Sequence, residues 1–236
     1  MRQRIPSVAL FVLSFVLQHS ACAHPADQSE VRVRPSPHAL EVRFTFNILT
    51  LTRFVRIDAD GDMKISMAEL KAAEPALVDY LNAHIRLDIN QETSALGREV
   101  KFAPLWPDAE KTEPMTEFEY SARSVDVTFM LPVKKLLEDF WIGFEIFEQT
   151  GPMQTIRGLF EQDGEVLEVP FSGQEPEYTY DTGFADDPFI QQAEMKAAAA
   201  QQASKVEWPL WLLIPAFLAL IALFRSPIAR RLRTLR

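Results

Sequence analysis

Cysteine is the scarcest chemistry in this chain: one thiol, Cys22, among 236 residues. A single cysteine excludes a disulfide framework and any zinc or iron–sulfur site built from several thiolates. Histidine is also sparse, with four in all. Nucleophile–histidine triads therefore have little to draw on. No nucleophile elbow, P-loop, dinucleotide fingerprint or H-E-x-x-H occurs, so the chain reads as a non-enzyme. The three asparagines, Asn47, Asn82 and Asn90, open no N-x-[ST] acceptor. Basic residues are outnumbered, 24 against 33 acidic, for a net charge of −9. That balance argues against nucleic acid as a partner, which needs a basic footprint. The length allows one ordinary globular domain plus appendages.

The appendages are two. Arg2 and Arg4, the apolar run Val8–Leu17 and the tripeptide Ala21-Cys22-Ala23 have the form of a secretory signal peptide over residues 1–23. The run is too short to span a bilayer. His19 stands three before Cys22, where lipoprotein signals prefer Leu, so cleavage is expected after Ala23 with His24 as the new N-terminus. Near the other end, WPLWLLIPAFLALIALF covers residues 208–224 without a charge. At 1.5 Å rise it reaches about 25 Å, close to the thinnest hydrocarbon span. Trp208 and Trp211 suit one headgroup zone, and five arginines in 225–236 place the other end in the cytoplasm. The expectation is a single pass through a bacterial inner membrane, with residues 24–207 in the periplasm. The absence of sequons and of cysteine from that part suits a periplasm better than a eukaryotic cell surface. Seven basic residues lie in the flanking segments, leaving 17 against 33 acidic in the exported part, a net of −16. Such a charge attracts cations or a basic partner.

Between the ends the pattern is mainly β. Residues 24–37 read as an extended lead-in. Leu40, Val42, Phe44, Phe46 and Ile48 alternate with polar residues, a strand signal. Ser66-Met67-Ala68-Glu69 reads as a capping box that opens a helix with Leu70, Leu77, Tyr80 and Leu81 on one face, kinked or restarted at Pro75. Further strands are expected at 85–89, 100–104, 117–121, 125–131, 141–148, 155–162 and 165–171. The last two flank Asp163-Gly164, a hairpin signal, and 132–139 reads as a short helical turn. Asp187-Pro188 opens an Ala- and Gln-rich helix with little to bury. The expected organisation is a sandwich-like β domain over 24–185 carrying one inserted helix, a helical stalk over 186–207, then the membrane helix. No internal repeat is evident.

One stretch carries ligand chemistry. In Asp58-Ala59-Asp60-Gly61-Asp62-Met63-Lys64-Ile65-Ser66-Met67-Ala68-Glu69, hard oxygens recur at a spacing that converges on one ion. Asp58, Asp60 and Asp62 offer carboxylates, Lys64 its carbonyl, Ser66 a hydroxyl or a bridging water, and Glu69 both carboxylate oxygens. The stretch resembles an EF-hand calcium loop, and the resemblance implies Ca2+ bound by Asp58, Asp60, Asp62, Lys64, Ser66 and Glu69. Met63 stands where that family has Gly at positive φ. Leu49–Ile57 is rich in Thr, Val, Ile and Phe and reads as a continued strand, so no entry helix is expected. The loop is expected to be single and unpaired.

A looser resemblance covers residues 23–104. Ala23-His24-Pro25, the strand around Val42–Ile48, Asp58–Asp62 and Glu69 fall in the order seen in the extracytoplasmic N-terminal region of HupE/UreJ-type membrane proteins. That family carries several membrane helices and is associated with metal transport. With one helix here, the resemblance implies an accessory role beside another inner-membrane protein; a structural partner with no ligand is the other alternative. A terminal amine and imidazole at His24, joined by His38 or His84, would suit copper or nickel.

Overall fold

Alternation dictates the first two strands. The structure, a computed structural model, describes residues 28–204. Strand β1 (Gln28–Ser36) buries Val31 and Val33, and β2 (Ala39–Asn47) buries Leu40, Val42, Phe44 and Phe46. Their other faces carry Glu30, Arg32, Arg34, Glu41 and Arg43. The expected lead-in is thus in part a full strand, whose period of two lies in V-R-V among charged residues.

The described residues form a mainly β fold with three sheets and four helices. After β2 come helix α1 (Ile48–Phe54), β3 (Lys64–Ile65) and helix α2 (Met67–His84). Strands β4 (Ile85–Ile89), β5 (Glu92–Ser94), β6 (Val100–Pro104), β7 (Met115–Thr116), β8 (Ser124–Pro132) and β9 (Asp139–Phe144) follow. Then come α3 (Phe147–Thr150), β10 (Thr155–Gln162), β11 (Glu165–Phe171), β12 (Glu177–Asp181) and α4 (Pro188–Ser204). The six-stranded sheet runs β11-β10-β1-β2-β8-β6, parallel between β1 and β10 and otherwise antiparallel. The four-stranded sheet runs β12-β9-β4-β5 and the third pairs β3 with β7. Aromatic rings join the two larger sheets: Phe44 meets Phe144 edge-on at 6.5 Å, and Phe160 stacks on Phe140 and Tyr180. Such contacts add to the burial that drives the core.

Several expectations are corrected. Leu49–Ile57 does not continue the strand, because α1 occupies Ile48–Phe54. The Asn47 side chain accepts a 2.7 Å bond from Thr50 N, and Ile48, Leu51 and Phe54 are buried at helical spacing. An N-cap and an apolar stripe outweigh β-branched composition. Residues 117–121 form a 3-10 turn over Glu117–Glu119 instead of a strand, closed by a second capping box from Thr116 to Glu119. Strand β9 ends at Phe144, and 132–139 contains no helix. Helix α2 runs through Pro75 as one element.

The chain divides into two compact units between Ala185 and Asp186. The second contains α4, where the Asp187 carboxylate accepts from Phe189 N at 2.7 Å. Among the described residues no helix is long and apolar enough to cross a membrane. The expected signal peptide (1–23), membrane helix (208–224) and basic tail (225–236), and His24, lie outside the described residues.

Candidate metal site

The acidic loop leaves α1 and enters α2, so helices flank it on both sides. Phe54 of α1 stacks on Tyr80 of α2 with centroids 4.6 Å apart, joining the two helices. Ile57, Ile65 and Leu70 are buried and anchor the loop's ends and middle in the core. Its polar residues 58–64 face outward.

Backbone N–H groups orient the carboxylates. Asp58 accepts from Gly61 N at 2.7 Å and from Met63 N at 3.1 Å. Asp60 accepts from Asp62 N at 3.1 Å, and Asp62 from Lys64 N at 2.8 Å. Glu69 reaches back across the loop: Oε1 accepts from Ala59 N at 3.0 Å, and Oε2 from Ser66 N at 2.9 Å and the Ser66 hydroxyl at 2.8 Å. Glu69 N in turn donates to Ser66 Oγ at 3.2 Å, completing the capping box. The donors from Ser66, backbone first and hydroxyl second, with Ala59 N after them, hold the Glu69 carboxyl below its ordinary pKa. Met63 adopts φ 64° and Gly61 φ 79°. The turn therefore uses left-handed backbone at the position where the sequence has methionine.

Asp58, Asp60 and Glu69 each bring one carboxylate oxygen within 4.8 Å of the others. Those three form the candidate site. Asp62 is exposed, and its Oδ1 accepts from Lys64 N. Ser66 spends its hydroxyl on Glu69, and Lys64 pairs through β3 with Thr116. Sequence reasoning placed Asp58, Asp60 and Glu69 together, and the structure groups them. Asp62 is not among the carboxylates of that group, while the Ser66 hydroxyl is bonded to its Glu69 member. Among the described residues no histidine joins a cluster able to hold a metal. His84 lies against Tyr80, with ring centroids 4.3 Å apart.

Lys64 and Ile65 pair antiparallel with Thr116 and Met115, and Met115 is as buried as Ile65. The adjacent Tyr120 is buried too. That burial first, and then the negative charge of Asp58, Glu117, Asp62 and Glu69, raises its phenol pKa.

A cleft of about 600 Å³ lies at one end of the six-stranded sheet. Its charges are mutually paired: Arg43 with Asp126 at 3.7 Å and Arg157 with Glu30 at 3.9 Å. It lacks the convergence of like charge that marks the loop. Compared with known proteins, the chain matches no family model and no curated sequence.

Proposed function

We propose that this chain is a non-enzymatic, calcium-binding module of a bacterial periplasm, a sandwich-like β domain anchored through residues 208–224, with Asp58–Glu69 as its ion site. One observation carries the reading: three carboxylates from a twelve-residue loop converge within 4.8 Å. Like charges so close repel one another, and a divalent cation converts that repulsion into attraction. The donors from Ser66 and Ala59 favour the ionised form of Glu69 that a hard cation requires. Asp62, Lys64 and Ser66 complete the proposed ligand sphere through a side-chain rotation, a carbonyl and a bridging water. Calcium tolerates such irregular oxygen sets, whereas magnesium demands near-octahedral geometry and keeps its water.

Isothermal titration of the full chain with calcium chloride tests the proposal. One ion per chain is expected, with Kd on the order of 10⁻⁴–10⁻³ M, the range in which extracellular modules work. Magnesium should bind far more weakly, and Glu69→Gln should remove the calcium heat. Absence of a calcium isotherm in the unaltered chain overturns the reading.

A further inference from the structure

The segment that pairs with the calcium loop repeats its construction. Ile65 and Met115 stand opposite each other across the two-stranded sheet, each 1% exposed. In both strands the next residue caps a turn and is answered by a glutamate three residues on: Ser66 with Glu69, and Thr116 with Glu119. Thr116 N and the Thr116 hydroxyl donate to Glu119 Oε2 at 3.0 and 3.2 Å, as Ser66 N and the Ser66 hydroxyl do to Glu69 Oε2. Counting back, Asp58-Ala59 precedes Ile65 by the same interval as Asp108-Ala109 precedes Met115. The two stretches 58–69 and 108–119 are therefore equal in length, begin with Asp-Ala and end in Glu.

They differ in what meets the carboxylates. Where the first has Asp60 and Asp62, the second has Glu110 and Thr112. The Thr112 hydroxyl donates to Asp108 O and accepts from Trp106 Nε1, both at 3.2 Å. Glu119 Oε1 accepts from Arg123 Nη2 at 2.8 Å, and the Arg123 guanidinium lies 5.3 Å from the Trp106 ring centroid. A guanidinium on the chain itself thus faces the carboxylate that corresponds to Glu69. Among the described residues, the group of carboxylates close enough to hold a metal ion is Asp58, Asp60 and Glu69.

The same segment also grips the element that leads into the loop. Ile48 N donates to Arg123 O at 2.9 Å and Leu49 N to Tyr120 O at 3.3 Å, so the first turn of α1 hangs on residues 120–123. One short stretch therefore holds both the start of the entry helix and the strand in the middle of the loop.

We infer that residues 108–123 are a metal-free counterpart of the calcium loop, in which Arg123 takes the place of a cation at Glu119 and the braced segment positions Asp58–Glu69 for its ion. The inference rests on the calcium reading for what is positioned, and on the pairing geometry for how. Arg123 and Glu119 are positioning residues, acting through Thr116–Met115 on β3 and through residues 120–123 on α1. Binding is then one ion per chain without cooperativity, and its strength depends on an ion pair that does not touch the ion.

The test is calcium chloride titration of the full chain and of Glu119→Gln, Arg123→Met and Arg123→Lys, with amide hydrogen exchange at Ile48 and Leu49 measured without calcium. Groups bonded directly to metal ligands affect affinity by about 10–100-fold, and Glu119 and Arg123 act one link further out through Thr116, so a loss at the low end, about tenfold, is expected in Glu119→Gln and Arg123→Met. Arg123→Lys, which keeps the charge, should recover most of it, and stoichiometry should stay at one. Affinities unchanged in both variants, or two ions per unaltered chain, overturn the inference. If the unaltered chain binds no calcium, the function proposed above fails, and the bracing is judged by exchange alone. Faster exchange at Ile48 and Leu49 in Arg123→Met, restored in Arg123→Lys, supports it, and equal rates overturn it.

Discussion

Glu69 serves two ends at once. Its carboxylate closes the capping box of α2 and bridges to Ala59 across the loop. Its pKa is depressed, so its contribution to stability is complete above the ordinary carboxylate range and is lost as pH falls through the lowered value. The melting temperature should therefore drop on acidification into that range, and the drop should be smaller in Glu69→Gln. A pH series of thermal melts on the two chains checks this. Met63 is the loop's strained residue, at φ 64° and exposed. A non-glycine side chain in left-handed backbone costs about 1 kcal/mol or more, so Met63→Gly should raise the melting temperature modestly and tighten calcium binding. An unchanged or lower melting temperature would count against it. These residues were legible because each has a local signature: three aspartates in alternation, a Ser-x-x-Glu box, and a turn that requires positive φ.

At the scale of elements, the long alternating strands and the helix after Ser66 could be read from their periods alone. Helix α1 could not be read from composition, since Thr, Val, Ile and Phe favour strands. Its evidence lay in the Asn47 cap and the spacing of Ile48, Leu51 and Phe54, which tertiary burial turns into a helix. Asn47→Ala is expected to destabilise the domain by about 1–2 kcal/mol in urea unfolding, because the cap is buried. The pairing of β3 with β7 joins residues fifty apart in sequence, and two-residue strands have no period to read. The Thr116-x-x-Glu119 box was the available clue, and it matches the box at Ser66. Core complementarity is a further element-level property. At Gly158 an added Cβ would stand 2.5 Å from Phe171 Cε2 and 2.8 Å from Val169 O, a backbone atom that cannot turn aside. Gly158→Ala should cost about 1–3 kcal/mol in the same unfolding measurement, and a neutral result would show that β10 and β11 can separate locally.

For the whole molecule, the proposal sets a strongly acidic domain outside a membrane and a basic tail inside. A reporter fused after Arg236 that is active in the cytoplasm would agree with that topology, and one active solely in the periplasm would contradict it. The net charge of −16 over residues 24–207 also makes that part responsive to any cation through screening, which falls off with ionic strength. The central claim is therefore tested most directly by thermal unfolding of the full chain and of Glu69→Gln at constant ionic strength, in calcium and in chelator. Calcium at 100 times Kd should stabilise the folded chain by about 2.7 kcal/mol, a rise of roughly 5–10 °C for a domain of this size. The rise should vanish in Glu69→Gln. Identical melts in calcium and chelator, or a rise that survives in Glu69→Gln, would contradict the account and leave Asp58–Glu69 as an acidic turn that caps a helix.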